Sequence, residues 1–107
     1  HGARFLLVYI PQRSEIELDA PFPYVRSIHA MVDDIARREG IALLDLSPPF
    51  HQRAKAGEQL IYPIDSHWNP AGHRVAAAAL LASPIFQPFR DAGASARRDT
   101  GVAGGRR

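Results

Sequence analysis

The apolar positions of the chain fall into two patterns. Phe5 to Ile10 is an unbroken apolar run stopped by Pro11, and Ile41 to Leu46 is a second run interrupted only by Asp45. Short continuous runs of this kind, bounded by Pro, predict strands buried on both faces of a parallel sheet. Between them Val25, Ile28, Val32, Ile35 and Ala36 recur at helical spacing while Arg26, Asp33, Asp34, Arg37 and Arg38 can face water, so residues 24–39 read as an amphipathic helix. Arg37 and Arg38 suit the negative end of the helix dipole, and Gly40 supplies a left-handed cap. Strand, helix, Gly, strand is a βαβ unit, whose right-handed crossover lays the two strands side by side and parallel. The fold class is α/β.

The segments around this unit are less regular. Residues 12–23, with Pro21 and Pro23, predict a polar connection. Ser47, Pro48 and Pro49 break the second strand, and residues 50–64 predict an irregular excursion that holds Gly57 and the short apolar run Leu60 to Tyr62. Asn69 is a candidate N-cap with Pro70 at the first helical position, where its missing N–H costs nothing. The Ala-rich helix that follows presents Val75, Ala79, Leu80 and Ala82 near one stripe until Ser83 and Pro84 end it. Gly72 in its first turn predicts close packing or a close backbone approach.

Composition narrows the function classes. The 107 residues contain no Cys, which excludes a disulfide framework, a thiolate nucleophile and a Cys-based metal site. The longest apolar runs are far below the ~20 residues of a membrane helix. The formal net charge is +2, but four Arg and one Asp lie in residues 97–107, and the remainder carries nine basic and ten acidic residues. The excess charge therefore belongs to a Gly-, Ala- and Arg-rich tail, and no dedicated nucleic-acid surface is expected. Residues 91–107 read as a disordered basic tail. No secretory-signal pattern precedes the first strand.

The densest polar constellation is Tyr62 to His73, YPIDSHWNPAGH, between the second strand and the last helix. Loops beyond the strand ends of open α/β sheets are where ligands bind. If Asp65 holds one ring nitrogen of His67, the other can serve as general base toward a hydroxyl nucleophile. Two plainer readings stand beside this one. Asp65 can cap a turn while His67 packs and Trp68 closes the core over the last helix, or Asp65, His67 and His73 can ligate a metal.

The segment Leu60 to Leu81, LIYPIDSHWNPAGHRVAAAALL, resembles the C-terminal signature block of the SGNH hydrolases, also called the GDSL esterase and lipase superfamily. It resembles in particular the bacterial branch near polysaccharide O-acetyl esterases and acetyltransferases, with a D-x-H-W-N-x-x-G-H ending. The resemblance covers roughly residues 3–83 and implies a partial flavodoxin-like three-layer sandwich made of its last two parallel strands and closing helix. Residues 1–90 would then be the C-terminal part of an SGNH hydrolase-like domain. It implies that Asp65 and His67 are the acid and base of a catalytic triad, that Trp68 and Asn69 shape the loop, and that His73 is structural. No cofactor and no metal are expected. Asp45, at the end of the second strand, is expected to position a loop by accepting backbone donors.

The family's nucleophilic Ser lies in a G-D-S-type block, with oxyanion donors in two further blocks, and none of these is present here. Ser66, between acid and base, should point away from His67. The expected role is thus the C-terminal portion of a serine esterase or O-acyltransferase, acting on an acyl ester or acetylated carbohydrate and supplying the His-Asp pair without the Ser. The alternative is an inactive fragment that binds or self-associates through an exposed sheet edge. A periplasmic or extracellular compartment follows from the resemblance alone.

Overall fold

The βαβ unit forms as its pattern predicts. In the computed structural model, which describes residues 5–84, 86 and 87, strand β1 (Leu6–Tyr9) pairs in parallel with β2 (Ala42–Asp45). Their register sets Leu6 opposite Ala42, Leu7 opposite Leu43, Val8 opposite Leu44 and Tyr9 opposite Asp45. Helix α2 (Pro23–Glu39) makes the crossover and ends on Gly40, whose φ of 66° is the left-handed cap expected there. The expected disordered tail, residues 91–107, lies outside the described residues.

Alternation along the strands assigns the layers. Tyr9 stacks on His29 of α2 with ring centroids 4.1 Å apart, so Leu7, Tyr9, Leu43 and Asp45 face that helix. Val8 and Leu44 point the other way, toward Trp68, Ala76, Ala77 and Leu80 on and just before the last helix, α4 (Pro70–Ala82), around a cavity of about 160 Å³. Helices on opposite faces of a parallel sheet give a three-layer arrangement, here α2, the two strands and α4. The strands are less buried than their apolar runs predict: Phe5 is 68% and Ile10 61% exposed. Two strands cannot cover both of their own faces and edges.

Helix α2 carries two adjacent apolar stripes, and only one is packed. Val25 and Ala36 are buried, with His29 and Val32 between them, whereas Tyr24, Ile28, Met31 and Ile35 form a stripe that remains exposed. The expectation that Ile28 and Ile35 join the core is therefore corrected: the helix turns the stripe through residues 25, 29, 32 and 36 toward the sheet.

Two short helices stand where irregular chain is expected. Helix α1 (Arg13–Glu17) is closed by a reciprocal cap: Gln12 Oε1 accepts the Ser14 N–H at 2.7 Å, and Glu15 Oε1 accepts the Gln12 N–H at 2.7 Å. Helix α3 (Ser47–Lys55) begins on the Ser-Pro-Pro that ends β2. The first N–H groups of a helix have no partner within it, so Pro48 and Pro49 lose nothing there and act as a start as well as a stop. The core joins these elements: Ile16, Leu46, Phe50, Leu60, Ile61 and Val75 form one buried cluster against which Trp68 packs.

Helix α4 starts as predicted, with Asn69 Oδ1 accepting the Gly72 N–H at 2.9 Å. Gly72 is the close approach its position suggests, because a Cβ there would overlap the Leu60 carbonyl oxygen and stand 3.0 Å from Trp68 Cβ. Gly72→Ala should therefore lower stability by about 1–3 kcal/mol in urea unfolding, against the gain of about 1 kcal/mol that helix propensity alone would give. A stabilised variant would show that the Leu60 segment yields freely.

Candidate active site

The loop that carries Asp65 and His67 leaves the core and returns to it over a narrow base. Leu60 and Ile61 are buried, Ile61 bridges Trp68 in antiparallel fashion, and the Tyr62 N–H donates to the His67 carbonyl at 3.0 Å. The Asn69 N–H donates to the Leu60 carbonyl at 3.0 Å and its side-chain amide to the Gln59 carbonyl at 2.8 Å. Residues 62–67 thus form the tip of a hairpin-like loop rooted between α3 and α4.

At the tip, one oxygen does two things. Asp65 Oδ1 accepts the backbone N–H of His67 at 3.1 Å and lies 3.3 Å from His67 Nδ1. The first contact is the turn cap of the plainer reading, and the second is the contact that the acid-base reading requires. With Nδ1 directed at Asp65, Nε2 is left facing outward, and the imidazole is 86% exposed. Ile10, Ser66, His67, Trp68 and His73 line an open hollow of about 270 Å³ beside it. Trp68 leans on Phe50 at 5.1 Å between ring centroids and meets the edge of His73 at 5.3 Å, so it serves both core and hollow. No hydrogen bond joins a serine hydroxyl to the His67 ring among the described residues. The Ser14 hydroxyl is tied to Gln12 at 2.6 Å, and Ser47 Oγ is buried without a partner.

A second cluster sits at the ends of β1 and β2 and was not legible as a site. Glu15, with a side chain 3% exposed, receives the Tyr9 hydroxyl at 3.0 Å and the Gln12 N–H at 2.7 Å. His29 places Nδ1 2.8 Å from Glu15 Oε2 and Nε2 2.7 Å from Asp45 Oδ2, with Asp33 3.9 Å away. Both ring nitrogens face carboxylates, which only accept when ionised, so the arrangement calls for the doubly protonated imidazolium. Burial of the ring acts to lower its pKa, but the hydrogen bond and charge of Asp45, followed by those of Glu15, outweigh it and raise the value. Burial likewise holds the Tyr9 hydroxyl above the usual phenol range, reinforced by its bond to Glu15. Asp45 does accept a backbone donor where the strand ends, from Ser47 at 2.9 Å, and in addition clamps His29. The available signals were slight: a Glu three residues after Gln12, and a His on the buried stripe of α2.

Of the metal-ligating combinations, the sequence suggested Asp65, His67 and His73. The group whose ligating atoms converge among the described residues is instead His29, Asp33 and Asp45, all within 4.8 Å of one another. A cation there would have to displace the proton between His29 Nε2 and Asp45.

Parallel strands joined by a crossover helix, a closing helix on the opposite face and an Asp-x-His loop past the strand ends constitute part of an SGNH-type α/β sandwich. The chain belongs to the family described as SGNH hydrolase-like domain, acetyltransferase AlgX, whose model matches residues 1–100. No curated protein and no solved structure matches it.

The raised His29 pKa has a defined consequence for stability. A group whose folded pKa exceeds its unfolded value, here 6.5, contributes fully below that value and loses its contribution as pH rises through the folded pKa. His29→Gln should therefore depress the melting temperature most at and below about pH 6.5. The difference from wild type should shrink at higher pH. A pH-independent difference would show that His29 acts through packing alone.

Proposed function

We infer that this chain supplies the acid and base of an acyl-transfer site, with Asp65 orienting His67, in the transfer or hydrolysis of acetyl esters. The single observation that carries the reading is the arrangement of the Asp65–His67 tip: Nδ1 faces the carboxylate, Nε2 is left free of it, and His67 lines a hollow that it shares with the apolar side chains Ile10 and Trp68. The family description, which names an acetyltransferase, supports the same chemistry.

In this reading His67 Nε2 takes the proton of a serine hydroxyl as its oxygen attacks the ester carbonyl. The tetrahedral intermediate collapses, the alkoxide leaving group departs with the proton held by His67, and an acyl-serine remains. His67 then deprotonates water or an acceptor hydroxyl, which takes the acyl group and regenerates the serine. Asp65 keeps the imidazole in the tautomer that presents the Nε2 lone pair and stabilises the imidazolium that forms. The serine and the oxyanion donors come from polypeptide other than residues 5–84, an acetylated carbohydrate is the substrate class, and a periplasmic or extracellular compartment belongs with that substrate.

In a polypeptide that unites this chain with the serine-bearing part, His67→Ala should lower kcat/KM for an acetyl ester by roughly 10⁴–10⁶-fold. Undiminished turnover would overturn the assignment.

A second reading draws on the exposed stripe of α2 and on the free edge that each strand keeps. It makes the chain an association module, and light scattering should then show dimers or larger species as concentration rises. A monomer throughout would remove it.

A further inference from the structure

We propose that Arg13 is the positioning residue of the Asp65–His67 loop, bracing the first arm of that loop from helix α1 through two successive main-chain carbonyls. The proposal rests on the acid-base reading above and adds the residue that fixes where the pair stands.

The loop tip cannot be placed by its own side chains. Ile64 is 97% exposed, and the side chains of His67 and Asp65 are 86% and 63% exposed. The position of the tip therefore depends on its backbone. The second arm is secured by the Ile61–Trp68 bridge and by the Asn69 contacts at the base. The first arm turns its carbonyls outward, and Arg13 Nη2 donates to the Tyr62 oxygen at 2.9 Å and to the Pro63 oxygen at 3.1 Å. One terminal nitrogen carries two hydrogens, so one nitrogen can serve both oxygens. The guanidinium plane is fixed on its other side, where Nη1 meets Glu17 at 3.2 Å. A flexible ammonium has no such planar fork.

The brace is only as firm as the helix beneath it. A five-residue helix has little stability of its own. What holds α1 is the burial of Ile16 in the core, the cap of Gln12 and Glu15 upon each other, and the His29 and Tyr9 bonds to the buried Glu15 carboxylate. Arg13 thus ties the exposed tip to an element anchored at the ends of both strands, across 49 positions of sequence. Movement of the tip relative to Ile10, which follows β1 and shares the hollow with His67, is what the tie restrains.

The test is made on this chain, labelled with ¹⁵N and ¹³C, and needs no serine. Arg13→Ala should speed hydrogen exchange at the Tyr62 amide by about tenfold, corresponding to the loss of roughly one net hydrogen bond. It should also move the His67 ring resonances, which report how the tip is set, with exchange in β2 and α4 unchanged. Added methylguanidinium should restore both signals in the Ala variant, a rescue that general loosening of the fold would not allow. Should Arg13→Ala fail to fold, Arg13→Lys gives the same comparison, with Tyr62 exchange expected between wild type and full loss of protection. Unaltered Tyr62 exchange and unaltered His67 ring resonances in the folded variant would overturn the brace. Asp65→Asn is the separate arm: if it leaves the His67 ring ¹⁵N shifts unmoved, the acid-base reading fails while the brace stands.

Discussion

A carboxylate sealed from water has to be supplied with donors, and Glu15 meets that demand by drawing several elements of the fold to one point. Tyr9 reaches it from the end of β1, Gln12 from the cap of α1, and His29 from the middle of α2, while His29 in turn binds Asp45 at the end of β2. An unpaired buried charge is far more costly than an unpaired exposed one. The pairing therefore fixes the relative heights of the two strands and the seating of α1. The apolar core sits beside this network and does not replace it: Ile16, the residue after Glu15, is the point at which the polar cluster and the buried cluster meet.

The proposed acid-base pair inherits its position from that construction indirectly. Its loop is rooted by Leu60, Ile61 and Trp68 in the core, and the close passage of Gly72 under the Leu60 carbonyl leaves the root no room to slide. Above the root, side-chain packing ends and backbone hydrogen bonds take over. Such a loop has little cohesion of its own, so the elements that touch it from outside matter more than their exposure would suggest.

What the sequence revealed follows from how local each signal is. Gly40, Asn69 and Pro70 act within a turn of their own position, and each was legible for that reason. Asp65 and His67 were legible because one residue separates them. Helix α1 was not, since five residues give no periodicity and its cap uses Gln12, an uncommon capping residue. Helix α3 was hidden because Pro48 and Pro49 signal a stop to β2 as strongly as a start to the helix, and a single Phe anchors it. The cluster of Glu15, His29 and Asp45 spans 30 positions, and none of the three stands in a motif. Only the fold brings them within bonding distance. The choice between the two apolar stripes of α2 was equally closed to sequence, since both have the right spacing and only the sheet decides between them.

The double use of Asp65 Oδ1 has a consequence of its own. The oxygen that faces the imidazole also holds the backbone of the residue bearing it, so carboxylate, imidazole and peptide link form a small closed ring. Asp65 and His67 need no third element to find one another, and their mutual geometry travels with the segment. The rest of the molecule has only to aim the pair as a unit, so that under the proposed acid-base reading the segment is portable: its nucleophile could stand on any stretch of chain brought to face it.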